Sequence, residues 1–181
     1  MATLVYSATM SLDGFIAGPG GDMSWLTGYI GPNPAATELV ERVGAVLVGA
    51  RSFRGDDPHR GDADREGKVF GGGWEGRQFV LTHHAPANPV PGITFVPDLD
   101  TAVAAARGAA GDGYVNVIGA DVARQCLAAG VLDEIVVFVA PVMLGDGVRL
   151  FDLPGGTRIP LEPVRVTEAP LATGLWLRVV R

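Results

Sequence analysis

The stretch YVNVIGADVARQCLAAGVLDEIVVFVAPVMLGDGVRLF, residues 114–151, decides the fold. Tyr114, Val115, Val117 and Ile118 form a short apolar run that stops at Gly119, the pattern of a buried parallel strand entering a tight turn. A helix follows. Asp121 stands at its cap, Val122, Ala123, Cys126 and Leu127 recur on one face at helical spacing, and Gly130 stops it. Residues 135–140 are a second apolar strand. Strand, glycine turn, helix and strand make a βαβ unit, whose helix N-terminus aims free N–H groups at the space beyond the first strand. A dinucleotide phosphate fits that position.

Working outward, Leu4, Tyr6 and Ala8 alternate with Val5, Ser7 and Thr9 in a run apolar enough for an interior strand. Ser11-Leu12-Asp13-Gly14 is a turn signal, because Asp13 bonds backbone groups two residues on and Gly14 tolerates positive φ. Residues 18–22, GPGGD, have the composition of an active-site lid. Asn33-Pro34 starts a helix with Leu39, Val40 and Val43 inward and Gly44 at its end. Residues 45–48 are a buried strand that runs into Gly49-Ala50-Arg51-Ser52-Phe53. Residues 55–76 read as loop. Residues 78–81 and 93–96 are further strands, the first followed by Thr82-His83-His84, the second by a helix that Asp98 or Asp100 caps and that runs to Arg107. Residues 161–167 and 175–180 form a final antiparallel pair. The expectation is one α/β domain over residues 1–181, with a mixed, mainly parallel central sheet flanked by helices.

Composition narrows the function. A chain of 181 residues buries about 70% of its unfolded surface as one domain and needs no staples. Its single cysteine makes no internal disulfide, and residues 2–10 alternate like a strand rather than a signal peptide, so the cytoplasm is the expected compartment. Lys plus Arg at 14 against Asp plus Glu at 20, a net charge of −6 with no basic cluster, argues against nucleic acid. No apolar run is long enough to span a membrane. His83 and His84 are adjacent, so in extended backbone they point to opposite sides and no single metal takes both. No metal is expected. Arg51 is the best phosphate ligand, since guanidinium offers a fixed fork of donors.

The segments GADVARQCLAAGVLDE and APVMLGDGVRLF, together with SATMSLDGFIAG at residues 7–18 and VLVGARSF at residues 46–53, carry a family resemblance. They resemble the reductase domain of bacterial riboflavin-biosynthesis deaminase-reductases and their stand-alone relatives, which share the dihydrofolate reductase fold. The resemblance implies an NADPH-dependent reductase of a small heterocycle, a pyrimidine, a pterin or a related ring. It places Ile16 and Ala17, at the start of the lid, over the nicotinamide. Gly49, Arg51 and Ser52 face the cofactor phosphates, Leu81, Thr82 and His83 the adenosine ribose and its 2′-phosphate, and Gly119, Ala120, Asp121 and Val122 the pyrophosphate. Asp13 is the carboxylate nearest the nicotinamide, to orient substrate or relay a proton, or else a turn residue only. Trp25 stacks on the substrate ring, or packs beneath the lid. Relatives pair through strand surfaces, so a homodimer is expected, with the apolar residues 135–142 and Leu150-Phe151 as candidate area. Two positions depart from the family. Ile118 stands where the first of two adjacent glycines is usual, and Val117 where riboflavin-pathway reductases carry a glutamate. Residues 23–31 also lack the helix carboxylate with which dihydrofolate reductases hold the pteridine. These departures keep a second reading open, a binding module that retains the fold without efficient reduction.

Overall fold

A computed structural model describes residues 2–88 and 90–181. Its main sheet has eight strands in the order β5 (Ile93–Val96), β4 (Arg77–Leu81), β3 (Val43–Gly49), β6 (Tyr114–Ile118), β1 (Thr3–Ser11), β7 (Glu134–Ala140), β10 (Ala172–Val179) and β9 (Leu161–Ala169). Every pairing from β5 to β7 is parallel, and β10 runs antiparallel to both β7 and β9. This is the expected mixed, mainly parallel sheet. The short strands β2 (Phe15–Ala17) and β8 (Val148–Arg149) pair separately.

Side chains alternate across the strands with period two, so each strand feeds two cores. On one face Leu4, Tyr6, Leu47, Val115, Val117 and Ile135 pack beneath α3 (Leu99–Ala110) and α4 (Ala120–Ala128). On the other, Val5, Val46, Val136, Phe138 and Trp176 pack beneath α1 (Pro34–Glu41), which supplies Ala35 and Leu39. Asn33 caps α1 by accepting from Ala36 N at 3.3 Å, as its sequence signal indicates. Asp98, rather than Asp100, caps α3, accepting from Thr101 N at 2.9 Å.

Several local expectations are corrected. Helix α1 ends at Glu41, and Val43 and Gly44 belong to β3. Gly44 is small for a tertiary reason: a Cβ there would lie 2.6 Å from the Ala110 carbonyl at the end of α3. Helix α3 continues past Arg107 to Ala110. Asp121 is not the cap of α4. Gly119 holds that position, and Asp121 lies inside the first turn, bonded to Arg124 and Gln125 at 2.9 Å each. Within the loop at residues 55–76, Val69, Phe70 and Trp74 pack against the second core, and Trp74 Nε1 donates to the Val43 carbonyl at 3.0 Å. The candidate dimer area at residues 135–142 is mostly unavailable, because β7 lies between β1 and β10 with both cores against it. Exposed apolar side chains stand on the edge strand β9 instead, where Val166 is 64% exposed.

The lower end of the sheet, at the N-termini of the parallel strands, is closed by Asp133. Its carboxylate accepts from Leu4 N at 2.8 Å and pairs with Arg107 at 3.1 Å and Arg181 at 2.7 Å. Cys126 is fully buried on the inner face of α4. No helix among the described residues is long and apolar enough to cross a membrane.

Candidate active site

Ligands of open parallel sheets bind beyond the carboxyl ends of the strands. The sheet order brings the ends of β4, β3 and β6 side by side, with β1 next. Their registers agree: Gly49 pairs with Leu81, and Val48 with Ile118. Leu81-Thr82, Gly49–Ser52 and Gly119–Val122, singled out in sequence as separate segments, therefore form one continuous rim.

Gly119 is the centre of that rim. It adopts φ 109°, which L side chains avoid, and a Cβ there would run into the Ser52 hydroxyl. The first helical bond of α4 is donated by Ala123 N to Gly119 O at 3.1 Å. The N–H groups of Ala120, Asp121 and Val122 thus have no helical acceptor, and no side chain caps them. Val122 itself is 1% exposed and offers only its backbone, its side chain standing in the space beside Gly49. Ile118 packs partly against the second core and keeps ordinary negative φ, so the backbone here demands glycine at position 119 but not at 118.

Cationic groups lie on one side of the rim. Arg51, on the single-turn helix α2 (Ala50–Phe53), is 86% exposed and 3.8 Å from Asp121. The Arg124 and Gln125 side chains, with Arg51 further off, hold the Asp121 carboxyl below the usual range. Thr82 closes its own turn, its hydroxyl accepting from His84 N at 3.1 Å, and His83 is exposed beside it.

On the other side, Ser11 and Asp13 fix the loops. The buried Ser11 hydroxyl donates to Asp13 at 2.6 Å and accepts from Phe15 N at 3.0 Å. Asp13 also accepts from Leu144 N at 3.1 Å and Gly145 N at 2.7 Å. The Ser11 bond first, then the two amides, lower its pKa to about 2. Asp13 thus serves its own turn through Ser11 and also ties that turn to backbone groups 131 and 132 residues away. Next to it, Ile16 and Ala17 sit in β2, held by β8, with Gly147 backed so closely on the Ala17 carbonyl that no Cβ fits. Residues 18–22, the expected lid, close on themselves through Gly18 N to Asp22 O at 2.8 Å.

Trp25 lies in a 3-10 segment, Ser24–Tyr29, rather than a regular helix. Met23 N bonds Asp56 beyond α2, and Gly31 abuts Leu171 in the β9–β10 turn. The segment therefore spans from the loop after α2 to the β9–β10 turn before α1 begins. Trp25 is half-buried, its ring 6.1 Å from Tyr29, and its Nε1 has no hydrogen-bond partner. Two separate cavities, about 400 and 390 Å³, lie at the lower end near Asp133 and near Trp176. Ion-paired and ring-stacked side chains line them, away from the rim.

These features define an α/β protein whose candidate ligand site is the rim at the carboxyl ends of parallel strands, around a glycine turn and a helix N-terminus. The chain belongs to the RibD C-terminal domain family, whose model matches residues 2–170. A search of curated proteins finds no match. Among solved structures, a protein from Shewanella sp. PV-4 described as belonging to riboflavin biosynthesis is 22% identical, with a TM-score of 0.76 and full coverage of both chains. A deaminase/5-amino-6-(5-phosphoribosylamino)uracil reductase from Thermotoga maritima is 21% identical with a TM-score of 0.67, and the match covers 99% of this chain but 57% of that one. A pyrimidine reductase-like protein from Corynebacterium diphtheriae is 16% identical with a TM-score of 0.65, covering 99% and 92% of the two chains. At these identities the likeness is one of fold.

Proposed function

We propose that this chain is an NADPH-dependent reductase of a small, flat heterocyclic substrate. The observation that carries the reading is the rim itself: three strand ends in register around Gly119, with three free N–H groups of α4 facing outward. Backbone amides at a helix N-terminus suit a pyrophosphate, and Ser52 and Arg51 stand beside them. Thr82 and His83, one strand further out, suit the additional phosphate of NADPH. When bound, the cofactor supplies the hydride. The chain's own residues then have three tasks, namely holding the two rings face to face, excluding water, and keeping the loops still. Ile16 and Ala17 on β2, with the lid after them, would close over the nicotinamide, and Trp25 would offer its ring to the substrate. Asp13, ionised and anchored by three donors, positions the β1–β2 turn against the loop after β7.

Fluorescence titration tests the assignment of the phosphate side. NADPH is expected to bind more tightly than NADH, and equal affinities would remove Thr82, His83 and Arg51 from the site. Turnover of NADPH with a panel of pterins and pyrimidines separates the reductase from a binding module, the reading favoured by Val117 in place of a carboxylate. Saturable binding without turnover would support the module.

We also propose self-association through the C-terminal hairpin. Leu161 with Val179, Pro163 with Leu177, and Val166 with Leu175 lie side by side in register, giving one face of β9 and β10 an apolar strip. A two-fold axis brings identical residues together, so an uncharged strip is compatible with itself where a charged one is not. A dimer mass by light scattering is expected, and Val166→Glu should return the mass to that of a monomer. A monomeric wild type at micromolar concentration overturns the proposal.

A further inference from the structure

The cavity of about 390 Å³ near Trp176 lies between the last turn of α1 and the C-terminal hairpin, and its polar groups are out of balance. Glu38 and Arg42 stand four residues apart at the end of the helix, the spacing at which a glutamate and a following arginine normally pair. Here they do not. Glu38 reaches across to β9 and accepts from Arg165 Nη1 at 2.8 Å. The Arg42 guanidinium rests 4.1 Å from the centre of the Tyr114 ring and has no ion pair among the described residues. The other carboxylate of the wall, Glu134, accepts from Trp176 Nε1 at 2.8 Å. Both acids are engaged, so the unmet groups of the cavity are donors.

One of those donors is buried. Arg165 lies 4.9 Å from the centre of the Trp176 ring, and its Nη2 has no hydrogen-bond partner. A buried charged donor without an acceptor is costly, and folded proteins retain few. Asn116 Nδ2 is an orphan of another kind: the residue is 0% exposed, lines neither cavity, and receives the Ser7 proton on its Oδ1 at 2.7 Å. Arg165 instead borders open space that an acceptor can enter.

We propose that this cavity binds a small organic carboxylate, its oxygens received by Arg42 and Arg165 and its apolar body resting against Val164 and the rings of Tyr114 and Trp176. Guanidinium presents a flat fork that matches a carboxylate. The wall is already balanced, Arg42 and Arg165 against Glu38 and Glu134, so a monoanion is accommodated at lower electrostatic cost than a dianion such as a phosphate monoester. An amine finds both acids taken. The two rings, each 5% exposed and 6.2 Å apart, give the site a fixed floor. Arg42 precedes β3, and Tyr114 and Glu134 are the first residues of β6 and β7, so the cavity stands at the amino ends of the parallel strands, opposite the rim. It is a second site, independent of the reductase reading.

The test titrates benzoate into the full, isotope-labelled chain, with benzamide as a neutral control of the same shape. Benzoate is expected to bind about tenfold more tightly than benzamide, or better. It should shift the indole N–H resonance of Trp176, assigned by elimination with Trp25→Phe and Trp74→Phe, and leave that of Trp25 in place. Arg42→Gln should weaken benzoate by about tenfold with benzamide unaffected, and Arg42→Lys, which keeps the charge and loses the fork, should fall between. Arg51→Gln, at the rim, should bind benzoate as the wild type does. Equal affinity for the two probes, an unmoved Trp176 resonance, or a loss in Arg51→Gln without one in Arg42→Gln overturns the proposal. If Arg42→Gln does not fold, Arg42→Lys decides, and unweakened benzoate binding there overturns it.

Discussion

The central strand β1 is closed by a carboxylate at each end, and the two closures are built from different partners. Below, Asp133 meets two guanidinium groups and one amide. Above, Asp13 meets a hydroxyl and two amides, with no cation. The lower knot is compensated charge and joins α3, β1 and the end of the chain. The upper one keeps its full negative charge, stabilised by dipoles alone, while Arg51 stands across the rim with Asp121 as its partner at 3.8 Å. The uncompensated charge at the top of the sheet therefore lies over β1 and β7, where an approaching cationic group is favoured.

Deleting the lower carboxylate should have the largest effect. Asp133→Ala leaves the Leu4 amide and two arginines without their shared acceptor, and a loss of about 2–3 kcal/mol in urea unfolding is expected. A loss below about 0.5 kcal/mol, the usual range of a surface pair, would mean that the knot is ornamental. At the upper end packing matters before charge. Ile118→Gly removes partly buried apolar area and frees the backbone, and it should lower stability by about 2 kcal/mol with no gain in NADPH affinity. A tenfold gain, about 1.4 kcal/mol, would mean that Ile118 obstructs the cofactor. The smallest effect is expected at Asp13, visible in its pH dependence. Its folded pKa lies below the unfolded value of about 4, so its stabilisation is present above pH ~4 and is lost as pH falls through about 2. Asp13→Asn should therefore flatten the acid limb of the stability curve between those values, and an unchanged limb would assign the acid response elsewhere.

The two ends also differ in how far the sequence reveals them. The β6–α4–β7 unit was legible because its signals are local: an apolar run, a glycine, a helical stripe and a second run. The rim followed, since glycine, hydroxyl and basic residues stand directly after three apolar strands. What was not legible lies at residues whose partners the local pattern does not name. Gly44 resembles a helix stop but is small to admit the end of α3. Asp121 resembles a cap, yet its arginine and glutamine partners lie within the helix itself. Asp13 bonds a loop more than 130 residues away, which no local pattern encodes. The Ser7–Asn116 pair left a faint trace, three hydroxyl residues at period two in an apolar strand, but nothing in that spacing names a partner on β6.

Burial of Cys126 gives the molecule a built-in clock. Desolvation first, only partly offset by Arg107, raises its thiol pKa to about 12, so roughly one thiol in ten thousand is ionised at pH 8 even before access is considered. A maleimide or disulfide reagent can reach the sulfur only when α4 lifts from the sheet, and the first turn of the same helix forms the rim. The labelling rate therefore counts openings of the element that would hold the cofactor, and a ligand seated on its N-terminus slows the clock without touching the thiol.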